Sequence, residues 1–284
     1  MTLSEDLAFK LGDTGVELNS SPSLPFVDIT KVTGLDNAPY RETQRDHEGV
    51  DGGFMDAEFE RGRSIVLDGT LFVDTGTMET FLDNLKANWA PSSTLVPFYL
   101  QPPGVGERVV FVKPLGCRYD WESLRRIGQC DVQFHMFAED PRIYSSELIS
   151  QVIAQGVAAT TGRSYSKEYS YSYGVAVTPS QNNCVNGGNR DTPAAMTVTG
   201  PVTNPTIYND TEGTSLRFIL TMGASDTLVI DTQYHTVRLN GSNVRSTLVD
   251  PNWFYLHPGD NFMRYQADTV GASTLTVSYR SAWR

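Results

Sequence analysis

The sequence predicts a mainly β chain of two domains: a β-rich N-terminal domain with one packed α-helix, then an antiparallel β-sandwich. Three observations carry this. A chain of 284 residues has room for two ordinary domains. Runs of alternating β-branched and aromatic residues recur along it, interrupted by a single clear helical pattern. Charge is unevenly spread: residues 1–144 hold 13 Lys/Arg against 23 Asp/Glu, net −10, whereas 145–284 hold 9 against 10, net −1. The second half is rich in Ser, Thr, Asn and Gly instead, as sandwich faces and turns are. The boundary falls where Asp140 and Pro141 break the run FHMFAEDPRIYS, giving domains 1–145 and 146–284.

In order along the first domain, FVDITKVTGLD and SIVLDGTLFVD read as strands. Between them lies the polar stretch NAPYRETQRDHEGVDGGFMDAEFERGR. Structureless loops of about 20 residues are uncommon inside compact domains, so this stretch is expected to be a projecting arm or hairpin, with a solvated loop as the bland alternative. In TMETFLDNLKANWAP, Met78, Phe81, Leu82, Leu85 and Trp89 share one helical face and Pro91 ends the run. The strands LVPFYLQ, RVVFVKPL and QCDVQFHMFA follow. In the last, Cys130, Val132, Phe134 and Met136 alternate with Asp131, Gln133 and His135, which predicts a sheet with one buried face. SSELISQVIAQ is expected to be a short linking helix.

The second domain offers AAMTVTG, NPTIYN, SLRFILTM, DTLVIDT, HTVRLNG, NWFYLHPG, NFMRYQ and STLTVSYR as short strands separated by turn formers. Asn240-Gly241 is the strongest hairpin signal, since a two-residue turn of that composition takes positive φ at both positions. No fixed-period repeat points to a propeller or solenoid.

Composition excludes several function classes. A net charge of −11 repels phosphate backbones rather than neutralising them, which disfavours a nucleic-acid reader. Cys117, Cys130 and Cys184 form neither a paired framework nor a C-x-x-C site, in keeping with reducing or redox-indifferent surroundings. Glu5 and Asp6 stand where a secretory leader carries positive charge, and no run of about 18 apolar residues occurs, so a soluble protein without a membrane partner is expected.

The search for chemistry is negative. His47, His135, His235 and His257 sit in no zinc or nucleophile-elbow pattern, and each is read as a surface histidine. Asp46, His47, Glu48 and Asp51 are the densest group of possible metal ligands, but lack the spacing of a calcium loop. GVGERV at 104–109 lacks the third glycine of a phosphate loop and runs into a strand, so a plain turn accounts for it. No catalytic residue, cofactor site or metal site is therefore expected. Two aromatic sets offer platforms for a saccharide: Tyr169, Tyr171 and Tyr173, and the pair Trp253 and Tyr255. Ordinary core packing is the competing reading for both.

The segments GRSIVLDGTLFVD, the helix after it, FAEDPRIYS, TVTGPVTNPTIYN, TLVIDTQYHTVRLNG and WFYLHPGDNFMRY, in that order and spacing, resemble the distal tail proteins of long, flexible-tailed bacteriophages. The resemblance covers most of the chain. It implies a non-enzymatic virion protein, a minor tail protein of the baseplate, whose N-terminal belt domain forms a homohexameric ring and whose C-terminal sandwich is galectin-like. The implied partners are further copies of itself, the tail tube protein, the baseplate hub or tail-tip protein and the tape-measure protein, with DNA only in transit through the channel. The implied location is the distal end of the tail, after assembly in the host cytoplasm. A closing six-fold ring needs contacts between unlike surface patches, so the arm at 36–63, with Arg41, Arg45, Asp46, Glu48, Asp51 and Phe54, is expected to touch a neighbouring subunit or the tube. The alternative is a carbohydrate- or receptor-binding sandwich gripping a glycan through Trp253 and Tyr255; a β-rich hydrolase would need an acid/base pair that the sequence does not display.

Overall fold

The computed structural model describes the chain except residues 1–2, 4–5, 21–22, 42–43, 47–48, 52, 56–58, 121–125, 158–179 and 270, and describes only the backbone of 44–46, 53–55 and 157. It is mainly β, as predicted, with one α-helix among the described residues. The chain divides into two compact units, Met1–Ser146 with Trp283–Arg284, and Glu147–Ala282.

The first unit is built on an antiparallel sheet. Its strands are β1 (Phe9–Leu11), β2 (Glu17–Leu18), β3 (Phe26–Thr33), the short pairs β4 to β7 of the arm described below, β8 (Arg63–Phe72), β9 (Val96–Leu100), β10 (Arg108–Tyr119), β11 (Gln129–Ala138) and β12 (Ile143–Ser145). The sheet runs β2-β1-β9-β10-β11-β8-β3, with β12 beside β10. Strict alternation sets the register of its centre. Cys130, Phe134 and Met136 pair with Leu71, Leu67 and Ile65, so each pair delivers two buried side chains to one face. At the fourth such pair Val132 meets Gly69, where a Cβ would lie 2.4 Å from the Asp28 carbonyl oxygen; only glycine lets β3 pass so close.

Helix α1 (Met78–Asn88) covers that face with Met78, Leu82 and Leu85. Trp89 at its C-terminal end is buried, its ring 4.5 Å from Phe134 and 6.4 Å from Phe98. The helical stripe read from the sequence is thus the contact with the sheet, although Phe81 reaches only the edge of the core. Residues 102–106 form a turn with Gly104 at φ 71°, as the plain-turn reading of that glycine pair requires.

The second unit is a sandwich of two six-stranded sheets. One runs β13 (Ile149–Ala154), β26 (Thr274–Tyr279), β16 (Ala194–Thr199), β21 (Thr227–Asp231), β22 (Thr236–Leu239), β23 (Ser242–Asn243). The other runs β14 (Gly156–Val157), β25 (Gly259–Ala267), β18 (Thr206–Asn209), β19 (Thr214–Phe218), β24 (Leu248–Pro251), with β15 (Gln181–Asn186) also on β25. A small pair, β17 (Val202–Thr203) and β20 (Thr221–Met222), stands apart from both. Met196, Ile230 and Val277 of the first sheet share one core with Ile207, Phe218 and Met263 of the second. Asn240 and Gly241 take φ 48° and 85° between Leu239 and Ser242, the positive-φ hairpin turn that their identities predict.

Three expectations are corrected. SSELISQVIAQ is no helix: Ile149–Ala154 is strand β13, paired along its whole length with β26. Its apolar residues fit either period over so short a run, and the six-residue ladder decides for strand. NWFYLHPG is no strand: residues 252–255 are irregular, and only Leu256 makes a bridge, to Thr192. The inside-outside alternation survives without the ladder, since Phe254 and Leu256 are buried. SLRFILTM is two strands: the register shifts at Arg217/Phe218 and Ile219 is exposed, so the chain leaves β19 and pairs again as β20 with β17.

Candidate functional site

The stretch between β3 and β8 folds as a hairpin arm. At its base β4 (Tyr40–Arg41) pairs with β7 (Phe59–Glu60), Tyr40 opposite Glu60 and Arg41 opposite Phe59. Farther out β5 (Gln44–Asp46) pairs with β6 (Gly53–Met55), Arg45 opposite Phe54 and Asp46 opposite Gly53. Of the arm residues singled out from the sequence, backbone register sets Arg45 opposite Phe54, while Arg41 and Asp46 stand opposite Phe59 and Gly53. The exposed Arg41 guanidinium lies 5.6 Å from the centre of the exposed Phe59 ring. Val50 and Asp51 are exposed toward the tip, and Gly49 turns there with φ 80°. Glu48 lies outside the described residues, as does His47 of the suggested ligand cluster; among the described residues no group of three or more carboxylate, imidazole or thiol side chains is placed to hold a metal ion.

The root of the arm is fixed by a residue that the sequence reading passed over. Arg63 is 1 % exposed, its Nη1 donating to the Leu35 carbonyl at 3.0 Å and its Nη2 to the Pro141 carbonyl. Burial pulls its pKa down, while Asp140 and Asp36 raise it. The signal was present in the pattern, because Arg63 falls in phase with Ile65, Leu67 and Leu71 on the buried side of β8. Beside it, Glu60 is nearly buried and lies 3.3 Å from Arg284 Nε.

In the second unit Trp253 and Tyr255 are half-buried, opposite in phase to Phe254 and Leu256. Trp253 is already stacked: the His235 ring lies 4.6 Å away at 18°, and the Arg245 guanidinium 5.8 Å from the Trp253 ring centre. His235 is half-buried, with its Nε2 shielded where the ring meets the indole, and its backbone takes φ 52°. Tyr169, Tyr171 and Tyr173 lie outside the described residues.

His257 acquires a role that no spacing in the sequence signalled. Its Nδ1 lies 2.7 Å from Asp191 Oδ1 and its Nε2 2.6 Å from Glu212 Oε1, so one imidazole joins three segments distant in sequence. Buried Asn261 fixes that loop, accepting from the His257 backbone N–H and donating to the His257 carbonyl. The hydrogen bond with Asp191, and then the two negative charges, raise the His257 pKa against a smaller opposing effect of burial. The thiols are the reverse case. Burial raises Cys117 to about 11 and Cys184 to about 12, leaving both protonated and poor nucleophiles.

Comparison with known proteins joins these features. Residues 187–283 match the family "Siphovirus-type tail component, C-terminal domain". That match falls almost wholly within the second unit. Among solved structures, the SPP1 Dit protein, described as a paradigm of the hub adsorption apparatus in phages infecting Gram-positive hosts, is 14 % identical with a TM-score of 0.63, over 96 % of this chain and 98 % of that one. The phage P2 baseplate in its activated conformation, with calcium or with strontium, gives 11 % and 12 % identity, a TM-score of 0.49 in each case, and the same coverage. No curated protein matches. The resemblance to distal tail proteins is borne out, by the family match over most of the sandwich and by the shared fold over both units.

Proposed function

We propose that the protein is a non-enzymatic adaptor of a phage tail, a homohexameric ring that joins the tail tube to the baseplate hub or tail tip and leaves a channel for the tape-measure protein and then DNA. In this reading residues 1–145 are the ring-forming belt and 146–284 a peripheral, galectin-like sandwich. The observation that carries it is a fold shared over 96 % of the chain, both units included, with a hub adsorption protein, together with the tail-component family match. The arm, with Arg41, Arg45, Asp46, Glu48, Asp51 and Phe54, is the contact with a neighbouring subunit or the tube.

The charge asymmetry fits this arrangement. Six belts of net −10 assemble about −60 formal charges, and carboxylates turned toward the channel would keep passing DNA from sticking. A neutral or basic channel wall in an assembled ring would refute that part. A glycan-gripping role for Trp253 and Tyr255 is the competing reading; it requires a saturable change in tryptophan fluorescence on titration with host cell-wall saccharides, which the adaptor reading does not expect.

The deciding experiment is native mass over a range of concentrations, with and without tail tubes. A species near six times 31.4 kDa with a central hole in negative stain is the expected result. A strict monomer under every condition, tubes included, would overturn the adaptor. Deletion of residues 44–53 is expected to abolish ring closure or tube attachment; retention of both would clear the arm of that role.

A further inference from the structure

Three connections of the sandwich converge on one imidazole. His257 lies in the loop before β25, Asp191 in the connection from β15 to β16, and Glu212 in the turn between β18 and β19. Each carboxylate sits on backbone that is itself held. Fully buried Asn209 accepts through its Oδ1 from the N–H groups of Thr211 and Glu212, which fixes the turn. Around Asp191 the chain is bridged on both sides, the Arg190 N–H to the Ala282 carbonyl and the Thr192 N–H to the Leu256 carbonyl, one residue before His257.

The two contacts of the ring fix a proton count. Nδ1 to Asp191 Oδ1 is 2.7 Å and Nε2 to Glu212 Oε1 is 2.6 Å, so each line holds a hydrogen bond and needs its own proton. A neutral imidazole offers one N–H and one lone pair, and two ionised carboxylates offer no proton at all. The observed geometry therefore belongs to the cluster with one proton more, the imidazolium donating from both nitrogens. Asp191 and Glu212 are the charges that face it. The other charged groups nearby are Arg190, next to Asp191; Asp210, which is held by Arg264 from its Nε and Nη2 at 2.8 Å each; and Asp260, which accepts from Asn183 Nδ2 at 2.7 Å. When one proton leaves, a ring lone pair is aimed at a carboxylate oxygen and one contact has to open. The partners are unequal: the Glu212 side chain is 16 % exposed and that of Asp191 46 %. Water replaces the ring easily at Asp191 and poorly at Glu212, so the remaining N–H stays with Glu212.

We propose that His257 is a proton-operated tie: doubly protonated it holds Glu212 and Asp191 together, and on losing one proton it keeps Glu212 and releases Asp191 to solvent, loosening the connection 187–193. The same geometry sets the sign of the pH dependence. Because the folded chain favours the charged ring, the tie is complete below the ordinary histidine value near 6.5 and opens as pH rises through a higher one. The switch belongs to the sandwich alone and stands whether or not the protein forms a ring.

The test is hydrogen exchange of the full chain from about pH 5.5 to about pH 9.5, read by fragmentation mass spectrometry at the Arg190 and Thr192 amides and corrected for the intrinsic rate at each pH. Protection of both is expected to fall by about two- to fivefold through the transition, while the Met196 and Val198 amides of β16 keep theirs. A crystal structure at the upper pH should show Glu212 still on Nε2 and Asp191 turned away. Asp191→Asn separates this from a merely structural contact. Its amide can donate to the Nδ1 lone pair while Nε2–H donates to Glu212, so a neutral ring satisfies both contacts and the pH profile should become flat. A fall in wild type that Asp191→Asn abolishes supports the tie. Wild-type protection that stays flat over the whole range, a profile that Asp191→Asn leaves unchanged, or departure of Glu212 in place of Asp191 overturns it.

Discussion

Replacing Arg63 with Met should destabilise the first unit by about 2–4 kcal/mol. The side chain is 1 % exposed, and its two terminal nitrogens serve two carbonyls that have no other reason to meet, Leu35 at the start of the arm and Pro141 after β11. Hydrogen bonds to a charged donor contribute about 1.5–3 kcal/mol each, so the gross loss on Arg63→Met is about 3–6 kcal/mol. Part of this is returned, because the guanidinium no longer has to be held out of water, the cost visible in its lowered pKa. Met keeps most of the volume, so little cavity cost is added. Arg63→Lys keeps the charge but cannot span both carbonyls and should fall between wild type and Met. Hydrogen exchange read by mass spectrometry separates the two units: protection in β8, β11 and the arm should fall by a factor of about 30 or more for a loss of 2 kcal/mol, while β16, β21 and β26 keep theirs. Chemical unfolding should give the same free-energy difference. A change of less than about 0.5 kcal/mol would refute the reasoning, since it would mean that water or backbone rearrangement satisfies both carbonyls as well as Arg63 does.

The remaining predictions concern the second unit and the thiols. The His257 pKa is raised in the folded chain, so its contribution is complete below the unfolded value near 6.5 and disappears as pH rises through the higher folded value. Because His257 is half exposed the effect should stay below about 1 kcal/mol, and His257→Gln should remove that part of the melting-temperature change between acidic and mildly alkaline buffer. Gly241→Ala forces a side chain onto φ 85° and should cost about 1–2 kcal/mol in urea unfolding of the sandwich, whereas a neutral result would mean that the hairpin turn can change type. Cys117 and Cys184 should resist maleimide at neutral pH and react fully only after denaturation; rapid native labelling would contradict their raised pKa values.

The elements legible in the sequence are those in which one period was sustained. QCDVQFHMFA and SIVLDGTLFVD alternate long enough to fix which face is buried, and the Met78-to-Trp89 stripe has no competing strand reading. SSELISQVIAQ and NWFYLHPG were misassigned because a run of six to eight residues leaves the ladder to be decided by neighbours remote in sequence, β26 in one case and Thr192 alone in the other. The same remoteness hid the functional geometry. His257 meets Asp191 and Glu212 across 66 and 45 positions. Arg63 was the exception: a charge in phase with buried aliphatic residues announces a buried cation, and a buried cation needs partners that the pattern alone cannot name.

Charge is placed differently in the two halves of this chain. The sandwich half is nearly neutral, and there His257 ties loops together through Asp191 and Glu212. The first half carries 23 Asp/Glu against 13 Lys/Arg, with six of the carboxylates between residues 46 and 60. In the first unit Lys113 pairs with Glu139, Arg142 with Asp140 and Arg284 with Glu60, yet residues 1–144 still hold ten more carboxylates than cations (23 against 13), an excess that the proposed ring would have to accommodate between copies.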